Sequence, residues 1–155
     1  MILRTKRITS NNSDEIYELN HKIFDGQIIY SIEYIEKICS NNNGYISYID
    51  NEPIGYVFCD ISYNHIVQKN VATMMSIGVL EKYRNLKIGK HLTEKICKNI
   101  GNDVYLYVRE ENHGAIQMYK NVGFIEIGKI FNYYKFKTGD ENAVAMKKNM
   151  NDIIN

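Results

Sequence analysis

A mixed α/β fold in one domain, residues 1–155, is what the sequence predicts, and three observations carry the prediction. Met75, Ile77 and Val79 alternate with Ser76 and Gly78, as in a strand with one buried face. Ile88, Leu92, Ile96 and Ile100 recur every four residues, as along the buried stripe of a helix. No stretch rich in Gly, Ser or Pro separates one part of the chain from another, and 155 residues suffice to bury roughly two thirds of the unfolded surface.

The elements follow in order. Residues 4–9 read as a first strand, and helices are expected over 13–24 and 31–40, each opening at a serine able to cap it. Residues 44–50 and 53–63 read as a hairpin around Asn51-Glu52, after an Asn41–Asn43 turn. A strand at about 71–80 leads into a helix at 87–100, and a β-prone run at 104–109 leads through Asn112, a good N-cap, into a helix at 113–121. Gly123 suits the left-handed residue that ends such a helix. Two last strands, 125–134 and 143–148, flank an expected loop at Thr138-Gly139-Asp140.

Composition removes several function classes. The net charge is +1, so binding to nucleic acid or an anionic membrane has no global electrostatic support, and Arg4, Lys6 and Arg7 read as a solvated strand edge. No run reaches membrane-spanning length, and no apolar core of signal-peptide length follows the start. The three cysteines, Cys39, Cys59 and Cys97, lack metal-ligand spacing and suit reduced thiols in the cytoplasm or nucleus; no metal is expected.

Chemistry is concentrated where strand turns into helix. Between residues 82 and 88 the chain runs through Arg84, Asn85, Leu86 and Lys87 into Ile88, Gly89 and Lys90. The first amides of a helix have no internal partner and carry the positive end of its dipole, so this basic turn suits phosphate oxygens. It lacks the second glycine and Lys-Ser/Thr pair of a P-loop. Downstream, Asn112, Ala115, Tyr119, Gly123 and Phe124 form a second cluster in which each residue also has an ordinary structural role.

Together the two segments resemble the cofactor motifs of the Gcn5-related N-acetyltransferase superfamily. Arg84, Lys87 and Gly89 fall on its Arg/Gln-x-x-Gly-x-Gly/Ala motif, and Asn112, Ala115, Tyr119, Gly123 and Phe124 on its Asn-x-x-Ala…Tyr…Gly-Phe motif. Leu19-Asn-x-x-Ile-Phe24, Tyr83-Arg84, Tyr105-Leu106, Asn132-Tyr133-Tyr134-Lys135 and Asp140-x-x-Ala143 narrow the likeness to the NatE-type protein Nα-acetyltransferases, over residues 4–149.

The resemblance implies a mostly antiparallel mixed sheet, flanked by helices and splayed between the strands at 71–80 and 104–109. It implies acetyl-CoA as cofactor, held by Ile77, Gly78, Val79, residues 84–90, Asn112, Ala115 and Tyr119. The backbone amide near Val79 would face the thioester oxygen, and Tyr119 would lie by the cofactor sulfur. Phe24, Gly26, Met75, Tyr133 and Tyr134 would surround a free peptide or protein N-terminus, with the tyrosine pair clamping its backbone. A ribosome-associated auxiliary subunit is a partner the resemblance allows, with the chain itself a monomer or weak homo-oligomer.

Three departures stand out. Thr73 and Tyr107 occupy the positions of the family's catalytic tyrosine and histidine, and neither is a useful base at neutral pH, although either could hold a relay water. An α-amine with pKa of about 7.8 is roughly 15% neutral at pH 7, whereas a lysine amine is handicapped by about 3.5 kcal/mol more, so an N-terminal acceptor needs little base. Glu110, Glu111, His113 and Asp25 are substitute candidates, each with a plainer reading as a cap or surface charge. Lys87 stands where glycine is usual, so a positive φ there would be strained. In the acceptor pocket, Asp25, Gly26 and Lys137 make a wider and more polar site than in the relatives.

Two alternatives share these residues. One keeps the chemistry with lysine, a polyamine or another small amine as acceptor, and the other is a catalytically weak acetyl-CoA-binding subunit of a larger Nα-acetyltransferase.

Overall fold

A computed structural model describes residues 1–27 and 30–150. Its strands are β1 (Leu3–Arg7), β2 (Gly44–Ile49), β3 (Glu52–Asn64), β4 (Lys69–Val79), β5 (Val104–Arg109), β6 (Ile125–Phe136) and β7 (Gly139–Lys148), in one sheet ordered β1-β2-β3-β4-β5-β7-β6. The helices are α1 (Ser13–Phe24), α2 (Ile32–Ser40), α3 (Ile88–Asn99) and α4 (His113–Val122). β4 and β5 pair in parallel over three residues, Ala72–Met74 with Val104–Leu106, whereas β1–β2, β2–β3, β5–β7 and β6–β7 are antiparallel. Two compact units can be distinguished, Met1–Asp60 with Met75–Ile96, and Ile61–Met74 with the chain from Cys97 onward.

In the first unit α1 and α2 lay apolar stripes on the sheet. Ile16, Leu19, Ile35 and Ile38 meet Ile8, Ile46 and Phe58 in a core where every one of these side chains is almost wholly buried. The β2–β3 hairpin turns through Asp50 and Asn51, both at positive φ (48° and 70°), as a two-residue turn matched to strand twist requires. Ser31 caps α2 as expected, its Oγ accepting from the Tyr34 N–H at 3.2 Å. Ser13 does not cap α1. A short 3-10 turn, Ser10–Asn12, precedes that helix and is capped by Thr9, so the Ser13 hydroxyl instead donates to the Ser10 carbonyl.

In the second unit β5 and β7 are buried along their centres, with Leu106, Ala143 and Met146 at most 2% exposed, while β6 forms the far edge of the sheet and is largely exposed. The expected loop at Thr138–Asp140 is shorter than predicted, because Phe136 pairs with Gly139 and only Lys137 and Thr138 remain outside the ladder. Gly139 sits at φ 128°, a conformation only glycine takes freely, and this allows the tight return.

Candidate active site

In the first unit, β4 ends at Val79 and the chain passes through a 3-10 turn, Glu81–Tyr83, to the start of α3. Arg84 turns back, its Nε donating to the Val79 carbonyl at 3.1 Å, and Tyr83 donates to Glu52 at 2.9 Å. Asn85 and Lys87 both lie in the left-handed region, at φ 68° and 59°. Asparagine tolerates that conformation; lysine pays roughly 1–2 kcal/mol for it. The Lys87 carbonyl nonetheless accepts the His91 N–H at 3.0 Å, so α3 starts regularly behind the strained residue, with Ile88 buried as its anchor. Residues 84–87 are all exposed, and Lys90 lies beside Glu94 at 3.9 Å. The turn therefore presents Arg84, Lys87 and Lys90 around first amides of a 12-residue helix that have no partner among the described residues, the donor set that an anionic phosphate group needs.

Of the other positions predicted in this unit, Gly78 is pressed against α1, and a Cβ built there would meet Ile23 at 3.0 Å and Phe24 at 3.3 Å. Ile77 and Val79 are half-buried between such positions, as are Phe24 and Met75, while Gly26 is exposed at φ 83°. Asp25 ends α1 at φ 42°, its N–H on the His21 carbonyl, and so has the capping role weighed against catalysis.

Beneath these lies a polar network that sequence reasoning missed. The Asn20 amide, fully buried, donates to the Tyr56 hydroxyl at 2.9 Å and accepts the Tyr30 N–H at 3.1 Å. Tyr56 is 2.8 Å from the Ser76 hydroxyl, and the Tyr30 hydroxyl donates to the Met75 carbonyl at 2.7 Å. Burial foremost pushes the Tyr56 phenol up to about 12, so it stays protonated and serves the network as a neutral group. The available signal was an asparagine inside the apolar stripe Ile16–Leu19–Ile23 of α1.

In the second unit, Thr73 lies opposite Tyr105 in the β4–β5 ladder, half-buried. Tyr107 is 39% exposed and brings the predicted tyrosines together: the Tyr133 ring stacks on it at 5.4 Å, and the Tyr134 hydroxyl donates to its carbonyl at 3.2 Å. A large bulge arranges this contact. Ile130 pairs with Ala143 and Tyr134 with Glu141, so three β6 residues face Asn142 alone, whose side chain accepts the Asn132 N–H at 3.0 Å while Asn132 takes φ 53°.

Helix α4 begins at Asn112, whose side chain accepts the Ala115 N–H at 3.2 Å, and ends at Gly123, φ 110°. Both ends match the sequence reading. Tyr119 is 6% exposed, its ring edge-on to Phe124, and its hydroxyl has no hydrogen-bond partner among the described residues. Burial above all, then the nearby Tyr134 and Cys97, pushes its phenol well above the usual range, so at neutral pH it holds its proton. Of the substitute bases, Glu110 is engaged elsewhere. Lys129 and Asn142 hold the Glu110 carboxyl below its ordinary value, and Glu111 and His113 lie exposed beside each other at 3.9 Å. Among the described residues no cluster of three or more His, Cys, Asp or Glu could bind a metal, and no helix is long and apolar enough to cross a membrane.

Comparison with known proteins gives a consistent result. The family model described as Acetyltransferase (GNAT) family matches residues 13–124. An N-alpha-acetyltransferase of Sulfurisphaera tokodaii is 31% identical over 144 residues, covering 85% of this chain and 84% of the relative. N-alpha-acetyltransferase 50 of Danio rerio is 28% identical over 138 residues, covering 83% and 77%. Arabidopsis thaliana Naa50, solved in complex with the bisubstrate analogue CoA-Ac-MVNAL, superposes with a TM-score of 0.78 over 96% of this chain and 99% of its own; at 22% identity that likeness shows the shared fold.

Proposed function

The chain belongs to the GNAT acetyltransferase family, and from that premise we propose that it is a single module, residues 1–155, transferring acetyl from acetyl-CoA to the free amino terminus of a peptide or protein. The observation that carries the acceptor class is the bulge in β6, which sets Tyr133 and Tyr134 against Tyr107 on β5. A bulge of this kind re-aims side chains beside a site, and two adjacent phenols there suit the polar backbone of an extended peptide. Relatives named as N-alpha-acetyltransferases, matched over 84% and 77% of their own length, support the same reading.

Acetyl-CoA supplies the acetyl group as an activated thioester. In this proposal the α3 amides, Arg84, Lys87 and Lys90 hold its phosphates, while Ile77, Gly78, Asn112 and Ala115 line its path. The Val79 N–H would donate to the thioester oxygen as charge develops there, while the acceptor nitrogen displaces the sulfur and its proton passes to water. Tyr119, protonated and buried with an unpartnered hydroxyl, gives its proton or a hydrogen bond to the departing sulfur. Phe24, Gly26 and Met75 receive the first residue. Thr73 and Tyr107 position water rather than act as bases, which suffices because the acceptor amine is already partly neutral. The module works in the cytoplasm or nucleus, a setting supported by three buried cysteines outside any disulfide.

Two observations favour a second reading, an acetyl-CoA-binding subunit of low turnover within a larger assembly: Lys87 is strained in the turn before α3, and the Glu110 carboxylate is held by Lys129 and Asn142. Mass-spectrometric acetylation of a peptide panel separates the cases, each peptide carrying an internal lysine and either a free or a blocked N-terminus. Transfer confined to free N-termini is expected. Transfer to lysine alone would overturn the acceptor assignment, and cofactor binding without any turnover would favour the subunit reading.

A further inference from the structure

Among the described residues β1 is an edge strand, with β2 as its one neighbour in the sheet. Its polarity can be read from both ends: the Ile8 N–H donates to the Gly44 carbonyl at 3.0 Å, and the Ile2 carbonyl accepts the Asp50 N–H at 3.4 Å. In an antiparallel ladder the N–H and C=O of one residue point to the same side and the side alternates. Even-numbered residues therefore face β2, and Leu3, Thr5 and Arg7 direct their backbone groups outward. The β1–β2 register is unbroken from Leu3↔Ile49 to Arg7↔Tyr45, with neither a proline nor a bulge to blunt the edge.

The flanks of this edge are cationic on both faces. On one, the Lys6 ammonium lies 5.3 Å from the Tyr48 ring, and Arg4 is tied to the Asn51 side chain. On the other, the Arg7 guanidinium lies 5.8 Å from the Tyr45 ring, which Lys95 of α3 approaches at 5.7 Å. Among the described residues no ion pair is recorded for Arg4, Lys6 or Arg7, whereas Lys69, Lys120, Lys129 and Arg109 each hold a carboxylate. Glu15, the acid in the groove of about 610 Å³ beside Arg4 and Lys6, is already taken by the Asn12 amide and the Tyr48 hydroxyl. A lysine that guards an edge does so by moving its charge across it. Here aromatic rings and Asn51 hold the cations to the flanks.

We propose that β1 accepts an extended acidic segment of a partner protein as an added strand, with backbone bonds to Leu3, Thr5 and Arg7 and carboxylates against Arg4, Lys6 and Arg7. This function is separate from acetyl transfer and calls on none of its residues.

The test is fluorescence anisotropy with a labelled alternating Glu-Val heptapeptide, its Lys-Val counterpart and a short oligouridylate. The Glu-Val peptide is expected to bind, about tenfold more weakly when salt rises from about 0.05 to about 0.3 M, and the Lys-Val peptide is not. Thr5→Pro deletes an outward N–H without touching the β1–β2 ladder and should abolish binding, whereas Thr5→Ala, which removes only the hydroxyl contacts to Ser47 and His91, should retain it. Arg4→Glu with Lys6→Glu, checked for wild-type melting, should abolish it by charge alone. No binding of the Glu-Val peptide, or equal binding by the Thr5→Pro and Thr5→Ala proteins, overturns the proposal. So does oligouridylate binding that survives Thr5→Pro, since a polyanion surface would then explain the cations without strand addition.

Discussion

The Tyr134 hydroxyl donates to the backbone carbonyl of Tyr107 at 3.2 Å, so the strand bearing Tyr133 and Tyr134, the residues proposed to meet the peptide, is latched to the strand bearing a candidate catalytic position. Tyr134→Phe removes that bond and keeps the ring. The cost to stability should be about 1 kcal/mol, or some 2–4 °C in melting temperature for a chain of this size. If the latch orients Tyr133 for a peptide backbone, KM for a peptide acceptor should rise several-fold while KM for acetyl-CoA stays within about twofold, against the precision of a routine kinetic comparison. Steady-state kinetics with both substrates varied, beside a thermal melt, separate the two effects.

Lys87 at φ 59° carries strain that glycine would not. Alanine is as poorly suited to this conformation as lysine, so Lys87→Gly and Lys87→Ala remove the same charge yet differ in backbone cost. The glycine variant should be the more stable of the two by about 1 kcal/mol, a figure reduced somewhat by the freedom glycine adds to the unfolded chain. Denaturant melts of both variants check this. If wild-type strain also misaligns the first α3 amides, acetyl-CoA should bind Lys87→Gly more tightly than Lys87→Ala in calorimetry.

Much of this architecture was legible because the pattern and the caps agreed. The α1 stripe, the β5 run and the α4 boundaries at Asn112 and Gly123 sit where periodicity and capping chemistry put them. What could not be read was backbone geometry that side-chain identity does not determine. Lysine at 87 carries no signal of a positive φ, and nothing in Phe131-Asn132-Tyr133 announces that three residues will oppose one. Ser13 failed as a cap because the preceding 3-10 turn makes it the first residue of α1 and leaves the N-cap position to Asn12. The Asn20–Tyr56–Ser76 network escaped because its partners lie 36 and 20 residues apart along the chain, and only the fold brings them together.

Tyr119 offers a cleaner test of chemistry, because its hydroxyl has no partner among the described residues. Tyr119→Phe should leave melting temperature nearly unchanged while lowering kcat by about 10²-fold, if the phenol donates to the departing sulfur. Burial raises its pKa, so the wild-type rate should show no loss of this acid between pH 7 and pH 9. A Phe variant with full kcat would reduce Tyr119 to a wall of the site.

Asp103 links stability to acid. It is 7% exposed, takes Lys69 at 2.6 Å and the Met150 N–H at 2.7 Å, and has Lys147 at 3.9 Å. Burial alone would raise its pKa, but these donors and charges together hold it below the ordinary carboxylate value. A carboxyl with a depressed folded-state pKa contributes stability that is fully present above its unfolded value, about 3.9, and disappears as pH falls through the folded one. Asp103→Asn, which keeps the shape and loses the charge, should therefore be clearly less stable than wild type at pH 6–7. The gap should narrow once the pH drops below about 4 and close when the wild-type carboxyl is protonated too. Parallel urea melts of the two proteins across that range measure it. A gap that stays constant down to pH 2 would mean that the carboxylate charge contributes nothing and that only the geometry of the Met150 contact matters.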